Sequence, residues 1–372
     1  MTRRGVVPLI AFAVLTIGVA CKSSPVAISA AATCQLTEVK GSSGSKDILS
    51  GVVPAGHGMV VIGTRYAGSS GEPMYASGTT AAWRARAIKV STPLSTEMGE
   101  VGGAASNDRW AVGTIAQAAP LILSWKGASW TEQHVADPGP LEDGLSGVGA
   151  VSRSFVWAVG RHGTDAGFRT LVERWNGAGW RTTPSPNLGN SDALNDVAVR
   201  GAKDAWAVGW AVEGRIYTTL ALHWNGSAWT TVPTPHVGPG DAVLSGVAVT
   251  PSGVWAVGWI SRGDAFSPLI ERWTGRAWVV VRTPLALSGA AFTDIAAHGS
   301  TLAIVGRRFV GGHPQPLVVL RTGGAWQLPT VTHAAGQGSL SSVAFGSSGA
   351  VWAVGNQVDG NGQASSLVVS GC

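Results

Sequence analysis

Apolar residues fall along this chain in short runs of four to six, separated by clusters of Gly, Pro, Asn and Ser. Runs of that length, rich in Val, Ala, Leu and Trp and bounded by turn residues, predict β-strands. No segment sustains a 3.6-residue apolar period, so helices should be nearly absent. Residues 192–231 show the unit. Residues 194–199 predict a first strand, a, and Ala205-Trp206-Ala207-Val208-Gly209 a second, b. Leu220-Ala221-Leu222-His223-Trp224 predicts a third, c, and a fourth, d, begins at Trp229. Between c and d stands Asn225-Gly226, a dipeptide that supplies the two positive-φ residues of a tight hairpin.

The unit repeats. Trp206-Ala207-Val208-Gly209 recurs with Trp at 110, 157, 255 and 352, and two degenerate copies end at Gly63 and Gly306. The seven glycines, 63, 113, 160, 209, 258, 306 and 355, lie 47 to 50 residues apart. Seven four-stranded units over residues 34–372 predict an all-β fold, a single seven-bladed β-propeller and a monomer. The last repeat stops at strand c, so the N-terminal strand beginning at Cys34 should complete the last blade and close the ring. Cys34 and Cys372 would then meet in a disulfide, worth about 4–5 kcal/mol in the chain-entropy model for so long a loop.

Ahead of the repeats, Arg3 and Arg4 precede an uncharged apolar stretch over residues 6–20, shorter than the roughly 20 residues of a transmembrane helix. This predicts a signal peptide over residues 1–20. Gly18-Val19-Ala20-Cys21 resembles a bacterial lipobox, with Gly18 where Leu is usual, so Cys21 is the expected lipidation site and residues 21–33 a lipid anchor and tether. The rival is cleavage after Ala32, giving a secreted protein. Lipidation of Cys21 leaves an even pair of cysteines, as an exported protein prefers. The expected location is the outer face of the cell membrane, held through the lipid anchor alone.

Composition then limits the function. Only 13% of residues are charged and the formal net charge is +5, without a run of Lys or Arg, so nucleic acid is excluded as a partner. Of 17 tryptophans, fifteen recur at fixed places in strands b, c and d and are expected to form the core between blades. Trp210 and Trp259 do not recur: they follow the strand b glycine, where other repeats have Thr64, Thr114, Arg161, Arg307 and Asn356. They enter the b–c loops, whose variable length suits recognition. Trp210, Trp259 and Arg161 are therefore the candidate ligand-binding residues, against the plainer alternative that both rings pack between blades.

Glu100, Asp196 and Asp294 share one position in strand a, where the other repeats carry Gly51, Gly147, Gly246 and Ser342. They should converge on the central channel. Such carboxylates could hold a cation or hydrolyse glycosides, or could instead accept backbone amides of the next blade. No spacing of His or Cys supports a metal, and no cofactor is expected.

At repeat level, residues 34–372 resemble kelch/galactose-oxidase-like and sialidase-type (BNR) propellers. Asn176-Gly177-Ala178-Gly179-Trp180 looks like the tail of the sialidase Asp-box, S-x-D-x-G-x-x-W, with Trp175 in place of its Asp. The arginine cluster and tyrosine nucleophile of a sialidase have no counterparts, nor does the copper site of galactose oxidase. The resemblance therefore implies the fold and no inherited catalysis. The function expected is a membrane-anchored, non-catalytic recognition module that binds a glycan or an envelope protein on the face formed by the b–c and d–a loops. The alternative is a glycan-processing enzyme working through Glu100, Asp196 and Asp294.

Overall fold

A computed structural model describes residues 33–39 and 46–371, apart from residues 56–57, 80–81, 92–93, 106–107, 117–118, 137, 140, 264, 283–286 and 333–335. The expected signal peptide, Cys21, the tether and Cys372 lie outside the described residues, and the side chain of Cys34 is not described. Among the described residues none is helical, and seven sheets, each with four antiparallel strands, form the blades of a β-propeller. Blade 4 consists of strands Ser191–Gly201 (a), Asp204–Glu213 (b), Ile216–Trp224 (c) and Trp229–Thr231 (d). The strands pair in that order, from the channel outward.

Blade 7 closes the ring with a strand from the other end of the sequence. Thr33–Val39 pairs antiparallel with strand c, Ala364–Gly371, setting Gln35 opposite Ser370 and Val39 opposite Ser366. It has a second neighbour that the repeat did not predict. Thr330–Thr332, from the link between blades 6 and 7, runs parallel to it with Thr33 opposite Thr330, so this sheet has five strands.

Seven hydrophobic clusters hold the ring, and each draws residues from two successive blades. Strand b is buried on both faces through most of its length because a blade is sandwiched between its neighbours. That is why it reads as a continuous apolar run rather than an alternation. The recurring tryptophans form the joints. Trp157 of blade 3 is fully buried, with ring centroids 4.9 Å from Trp224 and 5.2 Å from Trp229 of blade 4. Trp206 repeats this against Trp273 and Trp278, and Trp352 meets Trp83 of blade 1 at 6.1 Å, across the ring closure. Edge-on packing of this kind adds about 0.5–1.5 kcal/mol per pair beyond the area buried.

Two local features correct or explain the sequence pattern. The c–d hairpin is a four-residue loop in which only Gly226 has positive φ. Asn225 instead accepts the N–H groups of Ser227 and Ala228 at 2.9 and 3.0 Å through its side chain. The Asn is kept as a side-chain cap of the turn rather than as a left-handed residue. The strand b glycine is required by contact: a Cβ on Gly209 would lie 2.0 Å from the carbonyl oxygen of Ala193 in strand a.

Candidate functional site

Every strand a breaks register at the same height, between Leu194 and Asp196 in blade 4 and at the matching place in the other six. A β-bulge turns its extra residue out of the ladder. In six blades that residue is Ser50, Ser146, Asn195, Ser245, Thr293 or Ser341, and all six line one cavity of about 340 Å³ in the channel. The bulges thus give the channel a polar wall from chains whose neighbouring residues are core. Some of these side chains also tie blades together: Asn195 donates to the Leu244 carbonyl at 2.7 Å and Thr293 to that of Leu340 at 2.7 Å.

Glu100, Asp196 and Asp294 converge on this cavity as expected, and their partners show what they do there. Asp196 accepts the N–H of Val197 and, across the blade boundary, that of Val247 at 2.7 Å. Asp294 accepts the N–H of Ile295 at 2.7 Å and that of Val343 in blade 7 at 2.8 Å. Glu100 accepts the N–H of Val148 in blade 3 at 3.3 Å. Each acid therefore clamps its blade to the next. The glycines between them make room: a Cβ on Gly147 would lie 2.6 Å from the Cα of Asp196, and one on Gly246 3.0 Å from that of Asp294.

Gathering three acids raises their proton affinity. Glu100 keeps some contact with solvent in the lumen but sits deep among protein atoms. Burial first, then the charges of Asp196 and Asp294, push it well above the usual carboxylate range. Burial and then Asp294 push Asp196 up to about 7, although amides and a hydrogen bond with Glu100 pull the other way. Burial raises Asp294 as well. The acids therefore titrate as a coupled group, with Glu100 and Asp196 as its closest pair. Among the described residues, no group of three His, Cys, Asp or Glu is arranged to hold a metal ion.

Toward the b–c/d–a face the cavity has a mouth lined, from blades 2 and 3, by Glu97, Thr114, Glu142, Asp143 and Arg161. Arg161 pairs with Glu142 and lies over the Phe168 ring at 4.4 Å. Asp143 is fully buried and accepts the N–H of Gly163 at 2.9 Å. The acids of the mouth escaped the sequence reading, although one signal was present. Asp47, Asp143 and Asp192 share a repeat position two residues before the strand a Leu, and all three are buried.

Of the three expected ligand-binding residues, only Arg161 lines this mouth. Trp210 and Trp259 are half-buried on adjacent blades. Trp210 stands edge-on to Tyr217 at 5.0 Å, and Trp259 edge-on to Phe266 at 5.6 Å, each ring belonging to the b–c hairpin of its own blade. Phe266 in turn stacks on Phe309 of blade 6 at 6.0 Å.

No family model matches the chain, and no curated protein matches it. Solved structures share its shape. YCF48 bound to D1 peptide is 13% identical with a TM-score of 0.59, over 93% of this chain and 99% of that one. A mutant of the Aleuria aurantia lectin in complex with Fucα1-6GlcNAc is 11% identical with a TM-score of 0.51, over 78% and 97%. The Trypanosoma rangeli sialidase in complex with sialic acid is 12% identical with a TM-score of 0.50, over 93% and 58%. At these identities the likeness is one of fold: the chain is a seven-bladed β-propeller.

Proposed function

We propose that this protein is a non-catalytic recognition module, exported and anchored outside the cell through Cys21, which binds a glycan in the channel mouth of its b–c/d–a face. The observation that carries the reading is the mouth itself. The cavity behind it is about 340 Å³, and the wall of mouth and channel together offers hydroxyl, amide, carboxylate and guanidinium groups. Such groups match the dense hydroxyls of a saccharide. Propellers of this shape take sugars in the lectin and the sialidase and a peptide in YCF48, so an envelope protein is the rival ligand. Glycoside hydrolysis has less support, because an acid and a base free to reach substrate are needed. Here both oxygens of Asp196 and of Asp294 accept inter-blade or local N–H groups.

A glycan-array screen of the full exported chain tests the proposal. It expects retention of a defined oligosaccharide, unchanged in mass after incubation. Retention of none, with capture of an envelope protein instead, favours the rival; a shortened oligosaccharide favours the enzyme.

A further inference from the structure

The cations of this chain are scattered in sequence, but the fold gathers many of them on the face opposite the channel mouth. That face is made by the a–b turns and c–d hairpins. Arg153, Arg200 and Lys203 stand at its a–b turns, Lys126 and Arg276 in its c–d hairpins, and Arg181 near the start of a strand d. All six are exposed. Acids among the described residues at this end of the blades do not balance them. Asp204 is half-buried and pairs with Arg200 and His223, Asp108 is buried beside Arg153, and Glu132 accepts from Ser91, which leaves Lys126, Arg181, Lys203 and Arg276 without a carboxylate partner among the ion pairs of the described residues. Glu173 and Glu271 are fully enclosed, away from this surface, and burial pushes them up to about 7 and about 8.

More guanidinium groups lie just inside, held over rings rather than by carboxylates. Arg272 and Arg321 approach the same Trp255 ring at 5.4 and 4.9 Å, and Arg174 lies over Phe155 at 4.8 Å. Cation–π contact tolerates such crowding but does not neutralise it. Between blades 2 and 3 the face opens into a cleft of about 550 Å³ walled by Trp125, Trp175 and the buried Trp110, where Lys126 and Arg153 outnumber the single carboxylate, Asp108. Basic side chains beside indole rings are the composition of a membrane-interface surface.

The chain outside the described structure joins at the same face. The strand Thr33–Val39 pairs Gln35 with Ser370, near the end of strand c of blade 7, so its first residue lies on the c–d side. Residues 22–32 separate Thr33 from Cys21, at most about 40 Å when extended.

We propose that the a–b/c–d face docks on an anionic lipid surface. Its Lys and Arg side chains meet the headgroup phosphates, and the tryptophan-walled cleft between blades 2 and 3 receives a headgroup. The channel mouth then points away from the membrane. The docking rests on the face alone and holds without an acyl chain at Cys21 or a ligand in the channel; with one, it supplies the second signal that a single lipid needs for stable attachment.

The test is co-sedimentation of the full chain carrying Cys21→Ser, with vesicles of phosphatidylcholine alone or with 30 mole per cent phosphatidylglycerol. The expected result is binding to the anionic vesicles that falls with salt and is absent without phosphatidylglycerol. Replacing Lys126, Arg153, Arg181 and Lys203 by Ala should weaken it roughly fivefold per cation. Arg215→Glu and Arg262→Glu, on the b–c hairpins, should leave it unchanged. Near-ultraviolet circular dichroism checks that each variant is folded. Failure to bind anionic vesicles at low salt, equal binding by the four-site variant, or tighter binding to duplex DNA than to the vesicles overturns the proposal.

Discussion

Asp196 of blade 4 accepts the backbone N–H of Val247 in blade 5 across 2.7 Å, and two blades on Asp294 does the same for Val343 at 2.8 Å. The acids are thus part of what fixes one blade to the next at the channel wall. Asp196→Ala leaves a buried N–H unmade, a loss of about 1–3 kcal/mol. Chemical denaturation should show it, with Gly246→Ala destabilising the neighbouring joint because its Cβ meets the Asp294 backbone at 3.0 Å.

The same acids give stability a pH dependence. Glu100, Asp196 and Asp294 all have their proton affinities raised in the folded protein. Their contribution is present in full below the unfolded value near 4 and is withdrawn as pH rises through about 7, where Asp196 titrates. The denaturation midpoint should therefore fall between pH 5 and pH 8, and Glu100→Gln should flatten that slope. An unchanged slope in Glu100→Gln would show that Glu100 does not set the titration of the other two acids.

Glu271 offers a stabilising substitution. It is fully buried and neither oxygen has a hydrogen-bond partner, and burial pushes it up to about 8. The equivalent residue in blade 4 is Leu222, itself fully buried in core. Glu271→Leu should raise stability by about 1–3 kcal/mol at pH 8, read from the shift in denaturation midpoint.

The ring was legible because its joints repeat. A strand b glycine returns every 47 to 50 residues, and in five of the seven blades a tryptophan stands three residues before it; Trp157, Trp206 and Trp255 are all buried between blades. The convergence of Glu100, Asp196 and Asp294 was legible for the same reason. What they bond to was left between two readings, since backbone N–H groups carry no side-chain signal. The second neighbour of the closing strand, Thr330–Thr332, was not legible: three residues in a link show no alternation. Nor was the basic face, whose six exposed cations come from four blades and become neighbours only through the fold. For Trp210 and Trp259, departure from the repeat marked them out, yet it could not show that each ring rests on Tyr217 or Phe266 of its own hairpin.

The most direct test of the account is calorimetric titration of the oligosaccharide selected by array screening into the native chain and into the double variant Glu97→Ala, Arg161→Ala. Both side chains line the channel mouth, and neither belongs to the acid clamps, so the fold should survive with little change in Tm. Saturable binding by the native chain, loss of at least about tenfold in affinity in the variant, and recovery of the oligosaccharide intact are expected. Equal affinity in the variant would place the ligand elsewhere, and cleaved product in the native sample would contradict a non-catalytic role.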